Sequence, residues 1–124
     1  MPEEYTRLAE ALKALTKEPA TTAEEPEHLP FAENGWNTRP DTDSYGIVQL
    51  DFEADTLYGD DQKLVSSWEG SVDLYSRKKD GDGWLELICR TLTEHCESAW
   101  SMNYFTHERE SGLFHWEWVF EVEG

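Results

Sequence analysis

Between Leu113 and Val122 every second residue from Phe114 through Trp116, Trp118 and Phe120 to Val122 is large and apolar. Strand side chains alternate faces with period two, so this segment reads as a β-strand with one continuous apolar face. A helix would scatter the same aromatics around its circumference. The opposite face carries Leu113, His115, Glu117, Val119 and Glu121, a mixed and more polar set. Aromatic side chains dominate the energetics of the cores they join, so the remaining chain must supply strands to pair with this one and helices to cover it.

A length of 124 residues suits a single domain, 1–124, with a core that needs no disulfide staples. Ten Lys and Arg against 27 Asp and Glu give a formal charge of −17. That balance predicts no direct nucleic-acid binding, because phosphate backbones are repelled. Six tryptophans and a 13% aromatic share argue against an acidic disordered chain. No apolar run has the length of a membrane span, and Met1 to Tyr5 carries no basic and apolar leader, so a cytoplasmic protein without membrane contact is expected.

Tyr5, Leu8, Leu12 and Leu15 recur at helical spacing, predicting a helix over about residues 3–16 that Pro19 ends. Residues 17–40 read as an irregular connector, with an edge strand beginning at Leu29 to Phe31. Tyr45 to Phe52 and Lys63 to Arg77 alternate as strands, Gly70 marking a bulge or bend in the second. Leu85, Ile88, Cys89, Leu92 and Cys96 form the stripe of a second helix, capped by Asp80 or Asp82. Ala99 to His107, alternating through Trp100, Met102 and Tyr104, pairs with the terminal strand as a hairpin. The order is helix, strand, strand, helix, strand, strand: an α+β fold with a mainly antiparallel sheet and two helices.

Chemistry-bearing motifs are sparse. Cys89 and Cys96 would stand roughly 10 Å apart along one helix, beyond disulfide reach, and read as free core thiols. Together with His95 and Glu97 they lack a second ligand pair at zinc spacing, so no metal is expected. Asp80-Gly81-Asp82-Gly83 lacks the later oxygens of a calcium loop. His28, His95, His107 and His115 stand apart from any nucleophile motif, though His107 and His115 could face one another across the last hairpin. No cofactor-binding motif is present, and a non-enzymatic role is expected.

Tyr45-Gly46-Ile47-Val48, the acidic loop through Asp60-Asp61, Glu69 to Ser76 and His115 to Phe120 together resemble small minor tail or tail-completion proteins of prophages, relatives of the tail terminator of long-tailed phages. The resemblance covers about residues 40–124 and carries no catalytic signature. It implies a structural subunit that closes the tail tube as a ring, often hexameric, and joins it to the head connector. Its partners would be further copies of itself, tail-tube protein and head-connector protein. It would reside in the bacterial cytoplasm during assembly and then in the virion tail. The alternative is an acidic DNA mimic or inhibitor that binds a basic protein groove. The candidate subunit interface is the segment Glu53 to Gln62, read as a loop, where Leu57 and Tyr58 lie among Asp55, Asp60 and Asp61. The competing reading is that both apolar residues only anchor a long loop.

Overall fold

The computed structural model describes residues 2–17, 25–59 and 62–123, with side chains described outside residues 52–66. Helix α1 (Glu3–Lys13) is followed by short strands β1 (Thr16–Lys17), β2 (Glu27–His28) and β3 (Phe31–Glu33). Long strands β4 (Ser44–Gly59) and β5 (Gln62–Ser76) come next, then a 3-10 turn at Gly81–Gly83 and helix α2 (Trp84–Cys96). Strands β6 (Trp100–His107) and β7 (Phe114–Glu123) close the chain. β1 and β2 form a small ladder of their own, while the main sheet has the order β3-β4-β5-β7-β6. Every pairing in it is antiparallel except β3 with β4. The α+β architecture is therefore the one the alternation and periodicity imply.

β7 lies between β5 and β6, which explains its aromatic face. Val72 stands opposite Trp118 and Leu74 opposite Trp116, and both tryptophans are buried with Phe120 and Val122. Ile88, Leu92, Trp84 and Cys96 of α2 share this core with Tyr5, Leu8, Ala9 and Leu12 of α1. Tyr5 stacks on Phe120 at 6.3 Å. The two helices thus cover one face of the sheet side by side, and α1 takes a larger part of the cover than α2's apolar stripe alone suggests. Cys96 and Cys89 are free thiols, the first buried and the second half-buried. Burial, with the charge of Glu4 adding, pushes the Cys96 thiol up to about 11.

Of the expected connector 17–40, residues 18–24 lie outside the described residues, and residues 25–40 hold two short strands and part of the core. Leu29 and Phe31 belong to the core, and Phe31 begins the predicted edge strand. Gly46 is required there, since a Cβ would stand 2.5 Å from the Phe31 ring. Lys17 ties the end of the first helix to the start of the second: its Nζ lies 2.8 Å from Glu27 and 4.7 Å above the Trp84 ring. Asp80 caps the turn before α2, its carboxylate accepting from the Asp82 N–H at 2.9 Å. Among the described residues no helix is long and apolar enough to cross a membrane.

Candidate functional site

The segment Glu53 to Gln62, expected as a loop, is strand at every described position. β4 and β5 remain paired out to Gly59 and Gln62, with Leu57 in register with Val65 and Tyr58 with Lys63. Asp55 is paired with Ser67, while Asp60 and Asp61 lie outside the described residues, as do the side chains of Asp55, Leu57 and Tyr58. Mutual backbone pairing overrides the low strand preference of an acidic stretch. Three register shifts interrupt the ladder, at Leu50/Phe52, Glu53/Asp55 and Leu57/Tyr58. The irregularity inferred at Gly70 therefore sits across from it, in β4.

β7 pairs with β5 only from Ser67 onward, and β3 pairs with β4 only at Gly46 to Val48. From Gln62 to Ser66, β5 has β4 as its one sheet neighbour among the described residues. The result is a two-stranded arm reaching roughly 17 Å past the sheet at about 3.4 Å per residue. An isolated two-stranded ribbon is marginal in water.

The sheet face away from the helices carries the titratable cluster. Tyr45, Tyr75 and His115 stack in a row across β4, β5 and β7, with ring centroids at 5.0 and 4.1 Å, and Tyr104 meets His115 edge-on at 5.1 Å. Nε2 of His115 lies 2.6 Å from Asp73 Oδ1, and both residues are buried. Nδ1 of the same ring is 3.3 Å from the Tyr104 hydroxyl and 3.6 Å from Glu108. Glu117, directly opposite Asp73 on β7, accepts from the Asn103 amide at 2.7 Å. Asp73, His115 and Glu117 offer ligand atoms within 4.8 Å of one another and are the residues here that could hold a cation. A metal would have to open the hydrogen bond between Asp73 and His115.

His115 and His107 do not face one another. His115 is opposite Thr106, and His107 is opposite Phe114 and stacked on it at 4.2 Å on the helix side. His95, Cys96, Glu97 and Cys89 are separate from the Asp73 cluster, on and just after α2. Sequence reasoning missed Asp73 and Tyr104. Asp73 falls between apolar Val72 and Leu74, on the strand face it shares with Glu69 and Tyr75, and no local motif singles it out. Tyr104 was assigned to the face of Trp100 and Met102, but the register shift between Met102 and Tyr104 turns it to the other side.

As chemistry, the cluster offers an imidazole oriented by a carboxylate, with a phenol as its neighbour. Burial raises the Tyr104 phenol above its ordinary value, with the charges of Glu117, Asp73 and Glu108 adding. Tyr75 is raised by burial and then by Asp73 and Glu108. Both phenols hold their protons at neutral pH, so the row supplies hydrogen-bond donors and stacking surfaces in place of a phenolate nucleophile.

No family model matches the chain. No curated protein matches it. Several solved structures match, and one of them aligns over 99% of this chain and 95% of its own length, with a TM-score of 0.56 and 16% identity. The likeness is one of fold.

Proposed function

We propose that this chain is a non-enzymatic structural subunit of a phage or prophage tail, of the tail-terminator kind, which caps the tail tube as a ring and presents a surface to the head connector. The observation that carries this reading is the β4–β5 arm, a ribbon whose outer edges have no sheet neighbour among the described residues beyond Val48 and Ser67. An adjoining subunit would supply the pairing and burial that a lone ribbon lacks. The charge of −17 is compatible with a lumen that repels passing DNA and so does not trap it. Leu57 and Tyr58 would be the apolar centre of the contact, with Asp55, Asp60 and Asp61 at its rim.

The alternative of a DNA mimic draws on the facing pairs Glu69 with Glu121 and Asp73 with Glu117. Asp73, however, is buried against His115, which breaks any phosphate-like row at that point.

Assembly with tail-tube protein tests the main reading. Electron microscopy of polymerising tail tubes should find growth arrested at one end when the chain is added. Tubes that lengthen equally with and without it would remove the terminator role.

A further inference from the structure

β6 forms one edge of the main sheet, paired with β7 alone. It is eight residues long, Trp-Ser-Met-Asn-Tyr-Phe-Thr-His, and holds no Asp, Glu, Lys or Arg in a chain that is 30% charged. Natural sheet edges are commonly blunted by charge or proline, and this one has only the shift near Asn103. Met102, Tyr104 and Phe105 are 45, 40 and 49% exposed, and they are the exposed large hydrophobics among the described residues. Phe105 lies 5.1 Å from Trp116 and stacks with Phe114 at 6.1 Å, forming an aromatic shelf at the margin of the helix cover. The unpaired backbone and the uncovered apolar side chains therefore coincide.

We infer that β6 is a docking edge for an extended basic segment of another protein, which adds a strand and sets alternate apolar side chains on Phe105 and Met102. The charge around the edge selects that occupant. Glu97 precedes β6, Glu108 and Glu110 follow it with Arg109 between them, and Glu117 borders it at Asn103, so acids outnumber the one base around the edge. A second copy paired antiparallel would bring Glu108 and Glu110 of one chain beside Glu97 of the other, like charge against like. Lysines or arginines flanking an apolar core would meet the same acids favourably. Main-chain pairing supplies affinity in this mode, and alternate side chains supply specificity. The surface lies at the edge of the sheet opposite β3, with β7 and β5 between it and β4, and does not depend on the ring.

The test uses the full chain, isotope-labelled, titrated with the peptide KKFTVTFTKK. Two controls are the same peptide with glutamates for lysines and the same peptide N-methylated along its pairing edge. Amide shifts should centre on residues 100–107, and N-methylation or the glutamate exchange should each weaken binding at least tenfold. Phe105→Thr should weaken the lysine peptide at least tenfold while keeping the parent's spectrum elsewhere. Equal binding of the N-methylated peptide, shifts centred away from β6, or a dimer that protects β6 without peptide would each overturn the inference.

Discussion

Gly70 and Phe120 stand directly opposite one another on β5 and β7, and the ring of Phe120 fills the space that a Cβ at position 70 would take. The Gln49 carbonyl oxygen closes the same space from β4 at 2.5 Å. One of these contacts is backbone, and the other is a ring held by its stack with Tyr5. Gly70→Ala should therefore destabilise the fold by about 1–3 kcal/mol, as overpacking does. Chemical denaturation checks it, and Phe120→Leu in the same chain should recover part of the loss.

Trp118 is fully buried at the centre of the helix-covered face. Truncating it to alanine should cost about 3–5 kcal/mol. Phe105→Ala on the exposed edge should change stability far less, and denaturation midpoints of the two variants compare them directly.

Asp73→Ala would leave buried His115 without its carboxylate partner and should cost about 1–3 kcal/mol. The loss is conditional on the imidazole. Adding His115→Phe should make the second step much cheaper than it is in the parent, with a coupling of about 0.5–3 kcal/mol across the double-mutant cycle. Additive effects would mean that the pair does not act as a unit.

Burial, with Glu33 adding, pushes the Tyr5 phenol from 10.0 to about 12. The unfolded chain releases this proton first, so unfolding between those values is accompanied by proton loss. Stability from Tyr5 is complete below pH 10 and falls as pH rises toward about 12. Tyr5→Phe should make stability fall less steeply over that interval, as measured by denaturation at successive alkaline pH values.

The sheet's inner face was legible in the sequence because burial there is uniform: Trp116, Trp118 and Phe120 alternate without interruption and Ile88 and Leu92 repeat at helical spacing. The outer face was not. His115 and Asp73 satisfy one another across 42 residues, so their burial leaves no local pattern. The shift near Asn103 reverses Tyr104 and Phe105 without a glycine or proline to announce it. The arm escaped for a third reason. Glu53, Asp55, Asp60 and Asp61 have the composition of a loop, whereas strand formation at Glu53 to Gly59 comes from hairpin pairing with the strand that follows, which composition does not announce.

Light scattering of the parent chain and of a variant with residues 56–66 replaced by a two-residue turn, which joins the facing pair Asp55 and Ser67, measures whether the arm assembles subunits. Both should be compared at high protein concentration in 1 M salt, where the reach of repulsion between acidic subunits shrinks to about 3 Å. The parent should form a closed oligomer, and the shortened chain should stay monomeric with an unchanged core by denaturation. A shortened chain that assembles as readily as the parent, or a parent that stays monomeric even with tail-tube protein present, would contradict the assembly role.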